Sequence, residues 1–103
     1  MINRIYKTEE AGKPVIHIIG KLDSAPILSE FLSEILNSSK NVNKNSLLGC
    51  RMVLDLKDTE LISESCLEIL KIYSTKCTVE FRNFSLYVEL LLNEYSLLQK
   101  IID

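Results

Sequence analysis

A chain of 103 residues with 47% apolar and 25% charged side chains suits one globular domain over 1–103 with a core of useful size. A net charge of −2, and 7% aromatic content without tryptophan, offer neither the basic footprint nor the stacking surface of a nucleic-acid binder. The polar opening MINRIYKTEEAGK and the absence of a long apolar run lead us to expect a cytoplasmic protein with no direct membrane insertion.

Residues 2–7 and 14–20 are strand-like and are separated by a charged stretch containing Gly12, which predicts a β-hairpin. The second strand is apolar on both faces apart from His17, which we expect to be a satisfied or edge-exposed residue rather than a catalyst. Gly20 to Asp23 form a connection, Ser24 is a good N-cap and Pro26 fits a first turn. Leu28, Phe31, Leu32, Ile35 and Leu36 then follow helical spacing and predict one buried stripe, ending near 37–39. The Asn, Ser and Lys of residues 37–46 predict a surface loop, left open between a plain insertion and a partner-contact element.

Residues 51–56, RMVLDL, are almost continuously apolar, as in a central strand covered on both faces. An acidic connection over 57–60 and the apolar pair Leu61 and Ile62 lead to Ser63, Glu64 and Ser65, where a helix should begin. Ser65 with Glu68 has the spacing of a capping box. Ile62, Cys66, Ile69, Leu70 and Tyr73 make the predicted buried stripe, with Glu64, Glu68 and Lys71 outward and Leu67 on the border, available to a partner. A short strand over 77–81 follows. A helix from Leu86 to Asn93 should turn Val88, Leu91 and Leu92 inward after caps at Asn83 or Ser85, and a further helical stretch should run from Tyr95 to Ile102 beyond a bend.

The order β-β-α-β-α-β-α-α predicts an α/β fold with a mixed sheet of about four strands, an N-terminal hairpin followed by parallel crossovers, and three to four helices. Three cysteines without CxxC spacing, beside a single histidine, suggest neither a disulfide framework nor a metal site, and we expect reduced thiols with Cys66 packed under its helix. Three glycines cannot build a dinucleotide-binding fingerprint, so no cofactor is expected. No nucleophile and base are paired by any motif, which argues against an enzyme.

Val53-Leu54-Asp55-Leu56, the pair Leu61-Ile62 and the following Leu67, Ile69 and Leu70 resemble the central segment of the STAS domain family, the anti-sigma-factor antagonists and their relatives. Gly20-Lys21-Leu22-Asp23 is similar to that family's Gly-x-Leu-Asp, and Asn83-Phe84-Ser85 to its Asn-Val-Ser, so the resemblance runs in order over roughly residues 2–102. Aligned without gaps, Ser63 stands at the family's Asp, Glu64 at its phosphorylated Ser, Ser65 at the second Ser and Cys66 at the Gly.

The resemblance implies a STAS-like, non-enzymatic module of transcription regulation that docks a partner through the start of the second helix. Asp23, Ser24, Ser63, Glu64, Ser65, Leu67 and Glu68 are the candidate contacts. The implied partner is an anti-sigma factor or GHKL-type serine kinase, without the usual phosphorylation switch. Glu64 occupies the phosphosite with about one fixed negative charge, where a phosphoserine would carry about −1.5 to −2. Ser63 and Ser65 are the candidate substitute acceptors. The alternative is a STAS subunit bound to the ATPase of an ABC-type lipid transport complex, since some such subunits also lack the acceptor. Exposed strand edges and the Leu-rich tail leave a homodimer open.

Overall fold

A computed structural model describes residues 2–38 and 51–98. The chain opens with β1 (Ile2–Glu10) and β2 (Lys13–Leu22), paired antiparallel from Ile2 opposite Gly20 to Glu10 opposite Lys13. Ala11 and Gly12 join them with φ of 52° and 80°, two successive left-handed residues that match the twist of a two-residue hairpin. The predicted hairpin is present, with strands longer than the apolar pattern alone marked.

α1 (Ala25–Ser38) follows, and the carbonyl of Ser24 accepts its first helical bond from Leu28 N at 3.1 Å. Leu28, Leu32 and Ile35 are buried along the expected stripe. Beyond 38 the expected loop to residue 46, and Leu47 to Cys50, lie outside the described residues.

β3 (Arg51–Asp55) runs parallel to β2, with Val15 opposite Val53 and His17 opposite Asp55. The chain then adds a strand that the acidic stretch concealed: β4 (Thr59–Ile62) pairs parallel with the last residues of β2, Leu22 lying opposite Ile62. A tight turn makes this work, with Thr59 N bonded to Leu56 O at 3.1 Å and Gly20 N to Asp58 O at 3.0 Å. Thr59 is buried because its hydroxyl donates to Ile18 O at 2.8 Å, so no polar atom is left unpaired there.

α2 (Glu64–Lys76), β5 (Thr78–Arg82), parallel to β3, and α3 (Leu86–Glu94) complete the fold. The order along the sheet is β1-β2-β3-β5, with β4 attached to β2. This is the expected α/β architecture with a mixed sheet, having five strands and three helices among the described residues.

Residues 95–98 are not helical, which corrects the expected continuation as far as Leu98; 99–102 lie outside the described residues. Ser96 takes φ 55°, Ser96 N bonds Asn93 O at 3.0 Å and Leu97 N bonds Leu92 O at 2.9 Å, the reciprocal pattern of a helix-ending Schellman turn. Leu97 is thereby turned back into the core.

Buried side chains from all three helices join Ile16, Ile18, Met52, Leu54 and Leu56 in one core, so the helices cover one face of the sheet. Alternation along the strands puts Thr8, Glu10, Val15, His17, Val53, Asp55, Glu80 and Arg82 on the opposite face. Cys77 is disulfide-bonded, which corrects the expectation of reduced thiols. Spacing gave no sign of it because disulfide pairing depends on which strand ends the fold brings together.

Candidate partner-docking site

The parallel pairing of β2 with β4 brings two chain exits to one place. Leu22 and Ile62 are neighbours across the pair, and Ser63 N donates to Leu22 O at 2.8 Å. The connection into α1, carrying Asp23 and Ser24, therefore lies beside the start of α2. Both are at the carboxyl ends of parallel strands, where open α/β sheets place their binding sites.

Ser63 is extended, with φ −72° and ψ 159°, and its hydroxyl accepts from Cys66 N at 3.3 Å. It caps α2, so the expected Ser65 and Glu68 capping box is not the device that starts this helix. The reason is register: with Ile62 ending β4, Ser63 is the residue still extended at the junction, while Ser65 is already inside the first turn. Ser65 Oγ remains close, 3.2 Å from Ser63 Oγ.

Glu64 is the first residue of α2, is exposed, and sits where the helix dipole favours an anion. Asp23, Ser65 and Glu68 are also exposed, Ser24 and Ser63 partly so. Leu67 must be corrected: at 2% exposure it belongs to the core with Cys66, Leu70 and Tyr73, and it offers a partner nothing. The buried stripe is rotated toward Leu67 and away from Ile69 because Ile62, its expected first member, lies in β4. Cys66 is a packing residue, with burial pushing its thiol pKa up, Ser63 opposing that and Asp23 adding to it.

Tyr95 belongs to the site and was not among the candidates. Its phenol lies within reach of the acids of α2; burial first, then the carboxylates of Glu64, Glu68 and Glu94, hold its proton above the ordinary range. The turn after α3 delivers it, and that turn carries no glycine to announce itself.

A second polar constellation lies on the helix-free face, centred on Asp55. Its carboxylate accepts from Lys57 N at 3.1 Å and from Asn83 Nδ2 at 3.2 Å, and Arg82 Nε faces it at 3.5 Å. Arg82 also forks onto Glu10, one arm at 3.1 Å. Thr8 Oγ1 meets His17 Nε2 at 2.8 Å, and Tyr6 stacks on the imidazole at 4.6 Å between centroids. His17 is thus a satisfied residue, as expected. A Thr–His–Asp relay is not formed, because His17 Nδ1 and Asp55 Oδ2 are 3.9 Å apart and the carboxylate is already engaged elsewhere. A 3.9 Å contact between Lys13 and Glu80 lies on the same face, where Val15 and Val53 are 0% and 3% exposed although no described helix covers them.

Among the described residues no group of His, Cys, Asp and Glu is arranged to hold a metal ion, and no helix is long and apolar enough to cross a membrane. No family model matches the sequence and no curated protein matches it. Among solved structures the chain is similar to one described as "Crystal Structure Analysis of Mglu", with a TM-score of 0.51 and 13% identity. The similarity covers 75% of this chain and 19% of that one, so the chain spans about a fifth of its length. At that identity the likeness concerns the fold alone.

Proposed function

We propose that the chain is a non-enzymatic protein-interaction module of STAS type that docks a regulatory partner through the start of α2 and the adjoining connection into α1. The observation that carries this reading is the exposed, Ser63-capped Glu64 standing beside Asp23 and Ser24 at the carboxyl ends of β2 and β4. Contact residues under this reading are Asp23, Ser24, Ser63, Glu64, Ser65 and Glu68. Glu64 acts as a fixed anion at the family's phosphosite, and the preferred partner is an anti-sigma factor or serine kinase of GHKL type.

A carboxylate in place of a phosphorylatable hydroxyl also suits a partner that needs no switch. That favours, as the second reading, an ATPase subunit of an ABC-type lipid transport complex. A cytoplasmic location belongs to the same proposal; the disulfide at Cys77 runs against it, because cytosolic thiols are kept reduced.

Affinity capture from the source cell with wild type and Glu64→Ser, read by quantitative mass spectrometry, tests the proposal. Recovery of a serine kinase or anti-sigma factor, changed about tenfold or more by the substitution, supports the first reading, since a desolvated charge contact is worth more than about 1.4 kcal/mol. Recovery of a transport ATPase supports the second. Identical partners at identical yield remove Glu64 from the interface.

A further inference from the structure

Three of the five large apolar side chains exposed among the described residues lie on α3: Leu86 at 72%, Tyr87 at 57% and Leu90 at 57%. Leu86, Leu90 and Glu94 follow one another at four-residue steps, with Tyr87 alongside, so they share one outward face of the helix. The charged residues of α3 are Glu89 and Glu94; it carries no Lys or Arg. α3 packs against β4, whose end at Ile62 opens into α2, so Glu94 at the end of α3 and Glu64 and Glu68 at the start of α2 lie on the same side of the molecule; the Tyr95 phenol feels all three carboxylates. An apolar row therefore runs into a bank of negative charge.

We propose that this face of α3 receives an amphipathic helix of a protein partner. Its leucine-like side chains would cover Leu86, Tyr87 and Leu90, and its Lys or Arg would meet Glu94, Glu64 and Glu68. The inference rests on the reading of the chain as a docking module and extends its contact surface from α2 onto α3. Charge complementarity selects the occupant. A second copy would bring carboxylates but no cation from its own α3, and an anionic lipid surface would be repelled by the same groups.

The test is NMR titration of the isotopically labelled full chain with a synthetic Leu/Lys amphipathic helix, with its Leu/Glu counterpart, and with phosphatidylserine vesicles. We expect shifts confined to residues 64–68 and 86–95 for the Leu/Lys probe, weakened by salt. Leu86→Ser combined with Leu90→Ser should lower affinity about tenfold or more while the fold is retained, because both positions are exposed. Equal binding of the Leu/Glu probe, no effect of the double substitution, self-association through α3 or attachment to the vesicles would each overturn the inference. Shifts at 63–68 with none on α3 would also overturn it, yet leave docking at the start of α2 standing.

Discussion

At the scale of single residues, Asp55 shows how a half-buried carboxylate is kept ionised. Burial alone would raise its pKa, but the Lys57 amide, the Asn83 side chain, Arg82 and His17 outweigh burial and bring it below its ordinary value of 3.8. A carboxyl whose pKa is lower in the folded state contributes stability that is complete above its unfolded value and is lost as pH falls through its folded one. Glu10 is shifted the same way, chiefly by its hydrogen bond to Arg82. Denaturant midpoints should therefore hold steady near neutrality and decline below about pH 4. Asp55→Asn should flatten part of that decline and cost about 0.5–1.5 kcal/mol at pH 7, where Arg82 keeps Glu10 but loses a charged acceptor. A decline parallel to wild type would show that the shift lies elsewhere. None of this was legible in the sequence, because Glu10, His17, Asp55 and Arg82 are separated along the chain and are joined only by the register of four strands.

Whole elements were more legible where periodicity was strong and less so where a helix or strand is held by a single polar device. The stripe of α1 and the apolar run of β3 announced themselves, because several apolar residues at one period leave few other ways to be buried. β4 did not: in Thr59-Glu60-Leu61-Ile62 the first buried residue is polar, and only its bond to Ile18 O explains why it is inside. The stripe of α2 was read correctly at Cys66, Leu70 and Tyr73 and missed only at its edge, where Leu67 is buried and Ile69 half-buried, and the cap fell to Ser63 and not Ser65 because β4 ends at Ile62. The end of α3 near Asn93 was foreseen as a bend, but helix was expected to resume at Tyr95 because the left-handed position that stops it is Ser96, whereas glycine is the usual occupant. Ser96→Gly should relieve that conformation and raise stability by about 0.5–1 kcal/mol in equilibrium denaturation, against a cost of similar kind if the turn were ordinary helix. A destabilised Ser96→Gly protein would mean that the helix runs on past Glu94.

For the molecule as a whole, the division of labour follows from the sheet. One face carries α1, α2, α3 and the apolar core; the other carries the paired polar groups around Asp55 and Arg82, with Val15 and Val53 buried among the described residues there. That leaves the rim where β2 and β4 end as the place where exposed, chemically distinctive groups gather, and it is there that the docking reading puts the partner. Asp23, Ser24, Ser63, Glu64, Ser65 and Glu68, the contacts implied by the resemblance, lie at this rim or within one helical turn of it; Leu67 is in the core, and Tyr95 stands beside them. The most direct measurement is hydrogen–deuterium exchange on the complex recovered by affinity capture, compared with the free chain. The account predicts slowed exchange at residues 22–25 and 63–68, extending onto 86–95 where the partner also covers α3, with the strands of the polar face unchanged. Protection centred instead on β1 or on the residues around Asp55 would contradict it.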